Sequence, residues 1–138
     1  MRVMAVDYGD ARTGVAVSDR SASLAGEAWV IHEKSLKAVA LSIASGASSR
    51  DVRTIVVGQP KNMNGTIGPR AELSGQLAEM LRSCCDAEIV LWDERMTTMS
   101  AHRILDDTGK YGRKRKKTID AVAASLILES YLAYISHK

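Results

Sequence analysis

The sequence predicts an α/β fold: one mixed sheet in which an antiparallel start is followed by parallel strands, with helices packed against it. Two short segments rich in Val and Ala stand at the beginning of the chain, separated by five residues that include a glycine. That pattern is typical of an antiparallel hairpin. Farther along, continuous apolar runs alternate with segments of helical periodicity, which is the pattern of right-handed βαβ crossovers. We therefore expect one mixed sheet of five strands.

The hairpin is predicted from Arg2–Asp7 and Thr13–Ser18, and Ala25–His32 is predicted as a third strand. A helix over Glu33–Ser48 follows, because apolar residues recur there at the spacing of one helical face. These residues are Leu36, Val39, Ala40, Ile43 and Ala47. Arg53–Gly58 is then a run rich in β-branched residues, which indicates a strand buried on both faces.

The second half of the chain repeats the alternation. Pro69 suits the first turn of a helix over Arg70–Ser83, and Ala87–Trp92 is predicted as another buried strand. Two helices complete the prediction, one from an N-cap at Thr97 to Asp106 and one from Thr118 to Tyr134.

Length and composition predict one globular domain over residues 1–138. A chain of this size can bury a core without disulfides or metal clips, and its 46% hydrophobic and 25% charged residues are ordinary for a globular protein. Cys84 and Cys85 are adjacent and would form a strained bridge, so we expect reduced thiols in a cytoplasmic protein. No apolar run is long enough to span a membrane, and no membrane partner is expected.

Positive charge is concentrated in Lys110–Lys117, which holds six of the 19 Lys and Arg residues. Without those six, the formal net charge would fall from +3 to −3. A solvated loop is the ordinary interpretation of such a run. The alternative is a phosphate-binding flap, in which Arg113, Lys114, Arg115 and Lys116 contact a nucleic-acid backbone.

Three acidic residues stand at the ends of predicted elements. Asp7 ends the first strand, Glu94 follows the last strand, and Asp120 lies in the first turn of the last helix. Taken singly, each has a structural explanation, since strand ends are solvated and a helix N-terminus stabilises an acid. Brought together they would repel one another unless a hard cation such as Mg²⁺ or Mn²⁺ bound them. A carboxylate-bound metal pair cuts phosphodiester bonds, so we predict a metal-dependent nuclease.

Asp93 competes with Glu94 for a place in that site. Successive strand residues point to opposite faces, so only one of the two is expected to face Asp7. We favour Glu94 and expect Asp93 to pair with Arg95 or Arg12.

The strand end at Gly58 is followed by a turn that contains Lys61 and Asn62. These two residues are candidates for substrate contact, with ordinary turn chemistry as an equal alternative.

Four segments, which occur in one order from end to end of the chain, resemble the bacterial YqgF family, also called RuvX, of the RNase H-like superfamily. They are Val6–Asp19, Val56–Pro69, Val90–Thr98 and Arg113–Leu132. The resemblance implies an RNase H-like mixed sheet flanked by helices. It also implies that three acids bind divalent metal, and by motif position these are Asp7, Glu94 and Asp120.

With a metal pair, Asp7 would bridge two Mg²⁺ or Mn²⁺ ions, and Glu94 and Asp120 would each complete one coordination sphere. The flap, Arg12 and Lys61 would hold the nucleic-acid strand.

Arg12, Asn62 and Arg95 also match family positions, and we expect these three residues to bind substrate. Where Gln59 stands, the family usually has Leu, so we expect a wetter turn there.

The family is associated with processing of the 5′ end of the 16S rRNA precursor, and it has long been described as a Holliday junction resolvase. We expect the RNA activity, on naked precursor or on a pre-ribosomal particle. Resolvases of the RuvC type carry a second acid three residues beyond the helix aspartate, where this chain has Ala123. A resolvase must also present two symmetric sites, and no feature of the sequence indicates a dimer. A monomer and a weak homodimer are both compatible with the sequence.

Two other function classes stay open. Asp7, Gly9 and Gly14 also resemble the first phosphate loop of actin-like ATPases and sugar kinases, but those proteins need two such domains to enclose a nucleotide. A non-catalytic RNA-binding module is the other class, although all three acids are present.

Overall fold

The computed structural model describes residues 1–22, 25–96 and 112–136, with the backbone alone at Met96 and over 112–120. Five strands form one sheet in the order β3-β2-β1-β4-β5. They are β1 (Arg2–Asp7), β2 (Thr13–Ser18), β3 (Ala25–Ile31), β4 (Val52–Gln59) and β5 (Glu88–Asp93). The described helices are α1 (Leu36–Ser49), α2 (Pro69–Cys84) and α3 (Gly112–Ser136), and a 3₁₀ turn covers Glu94–Met96.

The strand directions confirm the predicted mixed sheet. β1, β2 and β3 are antiparallel neighbours, whereas β1, β4 and β5 run parallel. Because the carboxyl ends of parallel strands meet at one edge of a sheet, Asp7, Gln59 and Asp93 end their strands at the same edge.

Side chains of the central strand β1 are buried on both faces of the sheet. Met4 and Val6 belong to the core that includes residues of α1 and α2, while Val3 and Ala5 belong to a second core that includes residues of α3. Side chains alternate along a strand, so Asp7 continues the row of Val3 and Ala5 on the α3 face.

Two helices begin three or more residues away from their predicted first residues, and the other boundaries of the described helices lie within two residues of the prediction. α1 begins at Leu36 and not at Glu33, because the Ser35 side chain accepts a hydrogen bond from the Ala38 N–H and caps the helix there. α3 begins at Gly112 and not at Thr118. Lys and Arg are good helix formers, and nothing after Gly112 breaks the helix, so the prediction of a loop over the basic residues 112–117 was wrong.

The predicted helix from Thr97 to Asp106 lies outside the described residues, as do Lys110 and Tyr111. No helix in the described part of the chain is both long and apolar enough to cross a membrane.

The expected wetter turn at Gln59 was also wrong. The Gln59 side chain is buried, and its Nε2 donates a hydrogen bond to the Ala71 carbonyl over 3.2 Å. It therefore ties the end of β4 to the first turns of α2. Pro69 is the first residue of that helix, as predicted.

Candidate active site

Two carboxyl groups meet at the edge where the parallel strands end. Asp7 is the last residue of β1, and Glu94 is the first residue of the 3₁₀ turn that follows β5. β4 lies between those two strands, so the carboxyl groups approach each other across its end. A hydrogen bond joins the Asp7 and Glu94 side chains, so one of the two carboxyl groups carries a proton.

The environment of Glu94 shifts its ionisation strongly. Burial, the negative charge of Asp7 and the hydrogen bond to Asp7 together raise the pKa of Glu94 from 4.5 to about 8. The positive charge of Arg70 opposes that rise, and the charge of Asp93 adds to it. Such a pair is poised to exchange its shared proton for a cation, because a cation relieves the repulsion that raises the pKa.

A glycine in β4 makes this approach feasible. A Cβ at Gly58 would lie 3.0 Å from Cγ and Cδ of Glu94 and 2.6 Å from Cδ1 of Ile127 in α3. Only a residue without a side chain therefore allows Glu94 and α3 to approach the strand this closely.

The loop between β1 and β2 depends on a second glycine. A Cβ at Gly9 would overlap the Arg12 carbonyl oxygen. This close turn brings Gly14 of β2 opposite Asp7. Arg12 lies in the same turn and is half-buried.

Asp93 takes the structural role that the sequence suggested. Nε of Arg95 donates to both Asp93 carboxylate oxygens at 3.1 and 2.9 Å, and Nη2 donates to one of them at 2.6 Å. Those hydrogen bonds hold the pKa of Asp93 below its usual value, and the charge of Lys61 lowers it further. The predicted pairing of Asp93 with Arg95 is confirmed.

Asn62 organises the loop that follows β4. Its amide Nδ2 donates to the Thr66 hydroxyl at 2.9 Å, and its backbone N–H donates to the Thr66 carbonyl at 3.0 Å. The Asn62 carbonyl accepts from the Gly65 N–H at 2.8 Å. Turn chemistry, one of the two alternatives for Asn62, therefore accounts for its side chain.

The predicted site residues divide into two groups. The first group lies on or next to the edge where the parallel strands end. It consists of Asp7, Arg12, Lys61, Asn62, Glu94 and Arg95. The other group is placed by its backbone alone, within α3. It consists of Arg113, Lys114, Arg115, Lys116 and Asp120.

Asp120 precedes Ile127 by seven residues, which is about two helical turns, and residues at that spacing share one side of a helix. Among the side chains that the structure describes, no three His, Cys, Asp or Glu groups come together as a metal site, and Asp120 is not among those side chains.

Sequence reasoning missed Arg70. This residue stands in the first turn of α2, and its charge lowers the pKa of Glu94 against the other influences. The position of Arg70 directly after Pro69 could have indicated it. A helix that follows a parallel strand begins at the sheet edge where that strand ends, so a residue in its first turn lies near the site.

Comparison with known proteins places the chain in a family. A family model described as "RuvX: Holliday junction resolvase" matches residues 1–134. The chain belongs to the RuvX family. A relative from Halothermothrix orenii is 42% identical over 97% of this chain and 96% of its own length. Another from Caldanaerobacter subterraneus is 44% identical over 96% of each chain. Both are named "Putative pre-16S rRNA nuclease".

Among solved structures, T. thermophilus RuvC in complex with a Holliday junction substrate has a TM-score of 0.63. The match covers 97% of this chain and 96% of that chain at 12% sequence identity. At that identity the similarity concerns the fold alone. Together with the sheet order, it confirms the RNase H-like architecture that the sequence predicted for this RuvX member.

Proposed function

We propose that this RuvX member is a divalent-metal-dependent nuclease, a single domain over residues 1–138, that processes the 5′ end of the 16S rRNA precursor in the cytoplasm. The observation that carries the proposal is the Asp7–Glu94 pair. Two carboxyl groups that share a proton, one of them with a pKa raised to about 8, are costly to keep together without a cation. Membership of a family whose relatives bear a nuclease name supports the same conclusion.

The donor chemistry of the pair fits Mg²⁺ or Mn²⁺. Carboxylate oxygens are the ligands that these hard ions prefer, and a third carboxylate, Asp120, is the proposed partner on α3. When bound, a two-ion site would supply an activated water and neutralise the charge that develops on the leaving oxygen. Asp7 would hold both ions, and Glu94 and Asp120 would hold one each.

The chain's own residues prepare that site. Arg70 favours the ionised form of Glu94, so it lowers the cost of losing the shared proton when a cation binds. Arg12, Lys61 and the basic residues 113–116 would hold the negatively charged strand, in contacts that position a backbone without reading its sequence. Arg95 and Asn62 would act through the loop that they hold together.

The substrate assignment rests on the relatives' names, since RNA and DNA present the same phosphodiester to the carboxylates. The description of the family model favours a second candidate function, resolution of four-way DNA junctions. Ala123 stands where RuvC-type resolvases carry a further acid, which argues for the RNA substrate.

The deciding experiment compares cleavage of a labelled 5′ segment of 16S precursor with cleavage of a four-way DNA junction, both in Mn²⁺. Wild type is compared with Asp7→Asn, and Asp10→Asn is the matched control. Asp10 is an exposed acid on the loop that directly follows Asp7, three positions along the chain. We expect Asp7→Asn to lower RNA cleavage by about a hundredfold or more, the order of loss when one electrostatic contributor is removed. Asp10→Asn should cut at the wild-type rate.

The two substrates separate the candidate functions. Symmetric cutting of the junction alone would replace the RNA proposal by the resolvase alternative and would require a dimer. If neither naked substrate is cut, the same variants are tested on precursor ribosomal particles. RNA cleavage that survives in Asp7→Asn under identical metal would refute the proposed mechanism.

A further inference from the structure

Loop 61–67, between β4 and α2, exposes two apolar side chains. Met63 is 91% exposed and Ile67 is 55% exposed. Scattered apolar residues on a surface need no explanation by themselves. These two lie on a loop whose backbone is tied to the residue that follows Glu94, since Arg95 donates a hydrogen bond to the Met63 carbonyl.

The Arg95 side chain forms a clamp between that loop and the 3₁₀ turn. Three hydrogen bonds fix its guanidinium to Asp93, and Nη1 donates a further one to the Met63 carbonyl at 3.4 Å. Nη1 also lies 3.5 Å from where a Cβ at Gly65 would be. Since Glu94 is the residue between Asp93 and Arg95, the same short turn positions the carboxyl group and the loop.

The charges around the loop suit a polyanion. Lys61 at its start acts on Asp93, and Arg70 just beyond its end acts on Glu94. A strand whose phosphate reached the acids would therefore lie near both cations and near the loop that carries Met63 and Ile67. Apolar side chains gain little from charged phosphates, whereas the face of a base offers them a broad apolar surface to contact.

We propose that loop 61–67 is a platform for an unpaired base next to the phosphate at the acids. The preferred substrate is then an RNA strand with an unpaired nucleotide beside the cleaved bond, and a continuous duplex is disfavoured because its bases are stacked internally. Met63 and Ile67 touch the base, and Arg95 is a positioning residue that acts through the loop. This inference rests on the proposed function for the identity of the ligand.

The test measures binding, so that it does not depend on cleavage. All proteins carry Asp7→Asn. Each is titrated into single-stranded RNA that holds either 2-aminopurine or an abasic site at the position next to the scissile bond. A base that contacts the platform changes the fluorescence of 2-aminopurine, and removal of the base weakens binding.

We expect the parent protein to bind the RNA with the base about tenfold more tightly than the abasic RNA, at the low end of what a base gains on an aromatic side chain, because Met63 and Ile67 are aliphatic. Met63→Gln keeps the length of the side chain but makes its end polar, and should reduce that ratio to near one. Arg95→Lys should do the same, because a lysine cannot hold Asp93 and the Met63 carbonyl together. Met80→Gln, the same change on the exposed side of α2, should keep the full ratio.

A general structural effect would weaken the binding of both RNAs alike and leave the ratio of the two affinities unchanged. If Met63→Gln retains the parental ratio and fluorescence change, the platform is wrong while the nuclease proposal stands. If the parent binds neither RNA, both the base platform and the proposal that this protein binds nucleic acid are refuted.

Discussion

Replacement of Gly58 by alanine tests the packing that brings the two carboxyl groups together. The added Cβ would lie 2.6 Å from Ile127 Cδ1, a contact about 1 Å closer than carbon atoms prefer. Ile127 is 1% exposed and belongs to a cluster of buried side chains, so it can move away only by displacing its neighbours. Insertion of a methyl group into such a packed core costs about 1–3 kcal/mol. Gly58→Ala should therefore lower the free energy of unfolding by that amount.

The same substitution elsewhere in the chain gives a control of opposite sign. A Cβ at Gly75, inside α2, would find its nearest neighbour at 3.9 Å, which is ordinary van der Waals contact. Alanine is a better helix former than glycine by roughly 0.5–1 kcal/mol, so Gly75→Ala should stabilise the protein. Urea unfolding of both variants, followed by circular dichroism, measures the two changes under identical conditions.

A double variant locates the origin of the loss. Ile127→Val removes the atom that Gly58→Ala would strike, at a cost of about 0.5–1.5 kcal/mol when made alone. Combined with Gly58→Ala it should recover part of the lost stability, so the two changes should be non-additive. The contact of the new Cβ with Glu94 would remain, so the single and the double variant should both cleave more slowly than wild type. Wild-type stability of Gly58→Ala, or strict additivity in the double variant, would refute the packing argument.

Three further predictions concern single residues. The pKa of Glu94 rises from 4.5 to about 8 on folding. The folded state therefore holds the Glu94 proton more tightly than the unfolded chain, and the stability that this proton contributes is present below pH 4.5 and is lost as pH rises to about 8. In EDTA, Glu94→Gln should therefore show a smaller fall in unfolding free energy between about pH 5 and about pH 9 than wild type, and an equal fall would contradict the shift. Gly9→Ala, whose Cβ would overlap the Arg12 carbonyl oxygen, should lower both the melting temperature and cleavage; an unaltered melting temperature would count against that crowding. Gln59→Leu should leave the free energy of unfolding, measured in urea, within about 1 kcal/mol of wild type or raise it, because the Ala71 carbonyl keeps its helical hydrogen bond. A larger loss would show that the hydrogen bond from Gln59 matters more than its geometry suggests.

The first two strands were predicted to the residue, because local signals alone define them. Val-rich segments flank a short glycine-containing loop, and nothing in Arg2–Asp7 or Thr13–Ser18 has an alternative as a helix. Helix starts were less certain. α1 begins where Ser35 caps it, and the preceding residues Glu33 and Lys34 fit a helix equally well by propensity.

The candidate site was predictable in part. Alternation of side chains along a strand predicted that only one of Asp93 and Glu94 would face Asp7, and the structure places Glu94 there. Arg70 and the clamp on Met63 could not be predicted in this way. Their contacts depend on how the loop after β4 folds back towards β5, and that is set by contacts between residues about 30 positions apart in the chain.

Asp7 and Glu94 are attached to parts of the sheet with different resistance to local unfolding. β1 is the central strand, buried on both faces, whereas β5 is the outermost described strand on its side. Amide hydrogens of β1 should therefore exchange with solvent only on global unfolding, and those of β5 through smaller openings. An opening of β5 separates the carboxyl groups while most of the sheet stays folded. On heating, activity should consequently decline at temperatures where the bulk of the secondary structure is still intact.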